Sequence, residues 1–106
     1  MISRSFRSIY RVSYSTKSSK KPILEIFTSP DCTLCLHFKR QLSPYLKDNN
    51  YQLIEIDITK PENERYFDLY KYDIPVLRVN GVFHQKHRFQ AELFEGKLRE
   101  LESDSR

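Results

Sequence analysis

The sequence predicts an α/β fold in which a mixed four-stranded sheet is flanked by helices. Short apolar runs alternate with helical apolar patterns in the order β-α-β-α-β-β-α. The last two strands are separated only by Asn80-Gly81, a strong signal for a tight hairpin. The first two strands are joined through a helix and are therefore expected to be parallel. A length of 106 residues indicates one domain.

The first strand and the first helix meet at the only two cysteines of the chain. Residues 23–28 form a nearly continuous apolar run after Pro22, which is typical of a buried parallel strand. Leucine or phenylalanine then recurs every four residues and predicts a helix. These apolar positions are Leu34, Phe38, Leu42 and Leu46. Pro44 lies inside this pattern and is expected to kink the helix or end it early.

The second half of the chain supplies the remaining elements. Residues 51–58 favour a strand, and Thr59 followed by Pro61 and Glu62 is typical of a helix start with a Thr cap. That helix is predicted to run to about residue 70. Residues 76–79 and 82–86 are the hairpin strands, and residues 89–102 form a final helix. The apolar positions of that helix are Phe89, Leu93, Phe94, Leu98 and Leu101. Residues 103–106 are expected to fray.

The net positive charge of the chain comes from its N-terminus. Residues 1–22 carry six basic residues and no acidic one, whereas the remainder carries 12 basic and 14 acidic residues. The body is therefore not an obvious nucleic-acid binder. Arg4, Arg7 and Arg11 stand at helical spacing among serines, so residues 1–21 are expected to be a mitochondrial transit peptide and residues 22–106 the folded domain. The alternative is a disordered basic tail on a cytoplasmic protein. No apolar run is long enough to span a membrane.

Four motifs follow one another within about residues 22–102. They are the apolar strand 23–28, Cys32-Thr33-Leu34-Cys35 at the start of a helix, Ile74-Pro75-Val76 before a strand, and Asn80-Gly81 in a hairpin. Together they resemble the small, divergent glutaredoxin-like branch of the thioredoxin superfamily. Two departures stand out: Thr33-Leu34 replaces the Pro-Tyr common in that superfamily's dithiol glutaredoxins, and residues 84–88 lack a Gly-Gly pair that grips glutathione.

The resemblance implies a thioredoxin fold and a dithiol–disulfide oxidoreductase without a bound cofactor. Cys32 would be the nucleophile, because a helix N-terminus stabilises a thiolate. Cys35, deeper in the helix, would resolve the mixed disulfide and leave a Cys32–Cys35 bond. Ile74 and a cis Pro75 would contact the substrate, a disulfide or mixed-disulfide protein. Lys86 and Arg88 would hold a carboxylate of an acidic partner or of glutathione, a possible electron donor.

Alternative interpretations remain open from the sequence. The cysteines could be non-catalytic in a thioredoxin-fold interaction or assembly module. They could form a structural disulfide, although a loop this short constrains the unfolded chain little. A zinc site would need His84 and His87 as further ligands, and an iron–sulfur cluster shared between two subunits is a further alternative. Surface positions are the simpler interpretation of the histidines, and Lys39 and Arg40 are expected to face solvent.

Overall fold

A computed structural model describes residues 21–47 and 50–104 of the chain. Its four-stranded sheet has the order β2-β1-β3-β4. The strands are β1 (Ile23–Thr28), β2 (Gln52–Asp57), β3 (Val76–Val79) and β4 (Val82–Lys86). β1 pairs in parallel with β2 and antiparallel with β3, and β3 continues into the β4 hairpin. The predicted mixed sheet is confirmed, whereas the predicted transit peptide lies outside the described residues except for Lys21.

Three helices accompany the sheet: α1 (Thr33–Leu42), α2 (Glu64–Tyr70) and α3 (Ala91–Asp104). The α-helical part of the first segment ends at Leu42, and a 3-10 turn, Ser43–Leu46, carries Pro44. The expected effect of Pro44 is confirmed, since proline has no N–H to continue the α-helical bonding. None of the described helices is long and apolar enough to cross a membrane.

Two apolar clusters lie on opposite faces of the sheet, as the alternation of side chains along a strand requires. The larger cluster joins alternate residues of β1 and β3 to α1 and α3. Its buried members are Leu24, Ile26, Phe38, Leu42, Leu77, Val79 and Phe94. On the other face Phe27 packs between Tyr66 and Tyr70 of α2, with ring centroids 4.9 Å and 4.8 Å away. The two clusters clamp β1 from both sides and so fix the position of its C-terminal end.

The predicted Thr cap of the second helix is wrong. The backbone N–H and the hydroxyl of Thr59 both donate to Asp57 Oδ1, at 2.9 Å and 2.6 Å. Thr59 therefore belongs to the turn that leaves β2. The chain then forms a 3-10 turn, Pro61–Asn63, and α2 begins only at Glu64.

The bounds of α3 differ from the prediction, and of its predicted apolar positions Leu93 does not face the core. The helix begins at Ala91, because Gln85 of β4 holds residue 90 outside it: the N–H of Gln90 donates to Gln85 Oε1 at 2.6 Å. Leu93 is 50% exposed, since Phe94 takes the position facing the sheet. The helix includes residues 103 and 104, which corrects the predicted fraying there, while residues 105–106 lie outside the described residues.

The predicted surface position of His84 is wrong. Its ring is half-buried against α3, with its centroid 6.1 Å from that of Phe94. His84 Nε2 is buried and has no hydrogen-bond partner among the described residues. Burial lowers the pKa of His84 and nearby Lys97 lowers it further, while Glu100 opposes them. The neutral imidazole is therefore the form that the fold accommodates.

We expect His84 to make stability depend on pH. Because its folded pKa lies below the unfolded value of about 6.5, the unfolded chain binds the proton more readily. The free energy of unfolding should therefore fall as the pH drops from about 7.5 to about 5. Urea denaturation at both pH values measures this loss. His84→Phe should reduce it and His37→Gln, an exposed control, should not; an undiminished loss in His84→Phe would contradict the assignment.

Candidate active site

The two cysteines lie where β1 ends and α1 begins. Cys32 is the N-cap residue of α1 in an extended conformation, and Cys35 lies in the first turn. Their sulfur atoms form a disulfide, and the chain has no other cysteine. Because β1 packs against apolar clusters on both faces of the sheet, the disulfide that follows its C-terminal end has a fixed position.

The two sulfurs differ in access and in bonding. Cys32 is partly exposed, whereas Cys35 is 1% exposed beneath the helix. The N–H of Cys35 donates to Cys32 Sγ at 3.0 Å. That N–H and the positive end of the α1 dipole would also stabilise a thiolate on Cys32 after reduction. The geometry thus distinguishes an accessible sulfur that can react first from a shielded one.

The loop before β3 meets the same edge of the sheet. The Ile74–Pro75 peptide bond is cis, which confirms that expectation. Val76 pairs with Phe27, so Pro75 lies beside the end of β1 from which the cysteines follow. Pro75 is buried and Ile74 half-buried, and the carbonyl of Pro75 accepts the N–H of His87 at 2.8 Å. The structure brings Ile74 and Pro75 to the cysteine edge; their contact with a substrate stays a prediction.

A cavity of about 390 Å³ opens beside the disulfide on the β2 side. It is lined by both cysteines together with Asp31, Lys39, Glu55 and Asp57, and we call it the acidic cavity. Lys39 Nζ lies 2.7 Å from Glu55 Oε2, and the Thr28 hydroxyl donates to the same oxygen at 3.3 Å. Lys39 is thus partly exposed, as expected, but it is also paired with Glu55, whereas Arg40 is exposed to solvent.

Glu55 and Thr28 are candidate site residues that sequence reasoning missed. Lys39 follows Cys35 by four residues, so the two lie on one face of α1, and this spacing could have indicated that Lys39 lies near the cysteines. No comparable signal marked Glu55, because its place depends on the pairing of β2 with β1, where it stands opposite Ile26. Hydrogen bonds from Thr59 lower the pKa of Asp57, so that carboxylate stays ionised in the acidic cavity.

A second recess, of about 190 Å³, lies on the other flank of α1. Its polar lining comes from His37, Gln41, His87 and Arg88, and we call it the basic groove. Of the two predicted carboxylate-binding cations, only Arg88 lines it. Lys86 Nζ instead pairs with Asp73 Oδ1 at 3.0 Å. The structure therefore separates Lys86 and Arg88, which the sequence had grouped.

The described residues bring together no group of three or more His, Cys, Asp or Glu side chains that could hold a metal ion. His84 faces Phe94 beneath α3, whereas His87 lines the basic groove. The two histidines suggested as zinc ligands thus have separate surroundings.

We expect the Lys39–Glu55 pair to tune the reduced cysteines. Glu55→Gln leaves the ammonium of Lys39 unpaired in the acidic cavity and should lower the pKa of the Cys32 thiol, whereas Lys39→Gln leaves a carboxylate and should raise it. The thiol titration midpoint should move by up to about one pH unit, because the pair is partly exposed. The double variant should return near the original midpoint. Shifts of both single variants in the same direction would contradict this role.

Comparison with known sequences identifies relatives of the domain that carries this site. A family model described as glutaredoxin-like domain (DUF836) matches residues 23–99. A protein of Dictyostelium discoideum named glutaredoxin-like protein YDR286C homolog is 37% identical in an alignment of 79 residues, and the match covers 71% of this chain and 69% of that protein. Residues 23–99, which the family model matches, contain both cysteines and the cis-proline loop.

Comparison with solved structures supports the fold alone. Protein Ne2328 from Nitrosomonas europaea superposes with a TM-score of 0.62 at 20% identity, covering 74% of this chain and 92% of that one. Thioredoxin 1 from Thermosipho africanus gives a TM-score of 0.55 at 17% identity, covering 79% of this chain and 99% of its own. The predicted thioredoxin fold is thus confirmed.

Proposed function

We propose that this chain, which belongs to the glutaredoxin-like domain family, is a dithiol–disulfide oxidoreductase with Cys32 as its nucleophile. One observation carries the proposal: an accessible sulfur at the N-terminus of α1 is bonded to a sulfur that is 1% exposed. A purely structural bond between residues so close in sequence would stabilise the fold little, because it closes a very short loop.

The proposed reaction moves two electrons through two exchanges. The Cys32 thiolate attacks one sulfur of the substrate disulfide, and the other substrate sulfur leaves as a thiolate that takes a proton from solvent. Cys35 then loses its proton and attacks Cys32 Sγ. The second substrate thiolate leaves, and the Cys32–Cys35 disulfide remains. A dithiol protein or two molecules of glutathione would return the enzyme to its reduced form.

Substrate binding is proposed at the cis-proline loop and at the basic groove. The backbone of Ile74 can pair with an extended substrate segment, because it precedes β3 at the edge that carries the cysteines. Arg88 is exposed and can bind a carboxylate of a substrate or of glutathione. Lys86 would first have to leave Asp73, so we assign it a smaller part.

Thiol titration of the reduced protein tests the proposal. We expect the pKa of Cys32 to lie well below the free-cysteine value of about 8.5. The titration at low pH should be absent from Cys32→Ser, which has no thiol at the N-cap of α1. Turnover of a disulfide substrate is then followed with glutathione or with thioredoxin reductase as the electron source. An ordinary pKa together with no turnover from either source would instead favour a thioredoxin-fold interaction module with non-catalytic cysteines.

We also propose that residues 1–21 direct the protein to mitochondria. The support is the helical spacing of Arg4, Arg7 and Arg11 without any acidic residue in the segment. A fluorescent fusion of residues 1–22 tests this proposal separately from the redox chemistry. A diffuse cytosolic signal would count against it.

A further inference from the structure

The helix that begins at Cys32 lies between two recesses of opposite charge, and the disulfide lines one of them. The acidic cavity and the basic groove occupy the two flanks of α1, and each is walled by an outward-facing leucine next to Cys35. Leu36 lines the cavity and is 48% exposed, whereas Leu34 lines the groove and is 38% exposed. A protein segment bound at Cys32 therefore has, on either flank of α1, a charged recess whose lining includes an exposed leucine.

The acidic cavity keeps negative charge that no described residue neutralises. Among its described lining residues the one cation is Lys39, whose Nζ lies 2.7 Å from Glu55 Oε2. Asp57 stays ionised, because Thr59 donates two hydrogen bonds to its carboxylate. Asp31 is exposed and forms no ion pair with any residue of the described part of the chain. The cavity that contains both sulfurs thus has two carboxylates left for a cationic side chain.

The basic groove offers the opposite chemistry. Arg88 is exposed, and its guanidinium has no ion-pair partner within residues 21–47 and 50–104. His37, His87 and Gln41 add side-chain N–H donors around it. Phe38 and Phe89 form the floor, with ring centroids 5.3 Å apart. An acidic side chain with a short apolar stem fits this combination of donors and aromatic floor.

We propose that the two recesses select the substrate: a protein disulfide whose reactive cysteine has a basic residue on one side and an acidic residue on the other. The base enters the acidic cavity and the acid enters the basic groove while Cys32 attacks the sulfur between them. This inference rests on the proposed oxidoreductase function and adds the charge pattern of its substrate. Two exposed charge pairs, each worth a few-fold in affinity, should together give about a tenfold preference.

Four peptides of equal length test the selection with the reduced full-length protein. Each carries one cysteine as a mixed disulfide with a chromophoric thiol. The flanking residues are acid then base, base then acid, two bases, or two acids. We expect one of the mixed-charge peptides to have a kcat/KM about tenfold above both uniform peptides at low salt. High salt should reduce the difference, because exposed charges are screened.

Arg88→Glu provides the decisive comparison. It makes both recesses acidic, so the two-base peptide should become the best substrate. Arg99→Glu makes the same charge change at an exposed position of α3 outside both recesses and should keep the original order. Equal turnover of all four peptides, or an Arg88→Glu order identical to that of the unmodified protein, would overturn the selection while leaving the reductase function standing. Failure to reduce any peptide would instead count against the proposed function.

Discussion

Cys32→Ser is expected to lower the rate of disulfide reduction by at least about a thousandfold. A serine hydroxyl is hardly ionised near neutral pH, so the N-terminus of α1 would have no thiolate to stabilise. The measurement is kcat/KM for a mixed-disulfide peptide under identical reducing conditions. Arg40→Gln is a suitable control, because Arg40 is exposed on the same helix and lines neither recess.

Cys35→Ser should give a different result from Cys32→Ser. The first exchange can still occur, but no second thiol is available to release the substrate. The variant should therefore accumulate a covalent complex through Cys32, visible as added mass that disappears on treatment with a strong thiol reductant. Equal loss of activity in both variants without any trapped complex would contradict the assigned division of roles.

Phe94→Ala is expected to lower the free energy of unfolding by about 3–5 kcal/mol. Phe94 is fully buried and is the α3 residue around which the larger apolar cluster is built. Its ring centroid lies 5.1 Å from that of Tyr45 and 5.6 Å from that of Phe89. Removing the ring leaves a cavity that these neighbours cannot fill without moving. Because a domain of this size has a total stability of about 5–15 kcal/mol, the loss is a large fraction of the whole.

Leu93→Ala is the matched control for Phe94→Ala. The two residues are adjacent on α3, but Leu93 is half exposed and should cost about 1 kcal/mol or less. Urea denaturation of both variants, with the disulfide oxidised throughout, separates the two values. Similar losses would show that the burial of α3 has been assigned to the wrong helical face.

Local patterns were enough to predict the elements that place the disulfide. The structure agrees with three local signals: the apolar run of β1, the pair Asn80-Gly81 and the position of Pro44. Each of them depends on interactions between residues that are close in sequence. Asn80 shows why the hairpin signal is reliable. Its φ of 51° and the 83° of Gly81 lie in the left-handed region that these two residue types tolerate.

Predictions failed where two local choices compete and distant contacts decide between them. Thr59 could cap the following helix or bond backward to Asp57, and the turn at the end of β2 favours Asp57. Leu93 and Phe94 are both apolar and adjacent, so only one can face the sheet. Phe94 takes that place because Leu98 and Leu101 follow it at helical spacing on the same cluster.

The family resemblance predicted the cis form of the Ile74–Pro75 bond. The sequence by itself determined the α/β element order, the position of Cys32 and Cys35 at a helix start, and the position of Pro75 before β3. These depend on spacing along the chain, which residue patterns record directly. Only the tertiary structure decided that Lys39 meets Glu55 in the acidic cavity, that Arg88 lines the basic groove without Lys86, and that His84 is half-buried. Such neighbours depend on strand pairing and on which helix covers which face, and the free energy of packing the whole domain selects those arrangements.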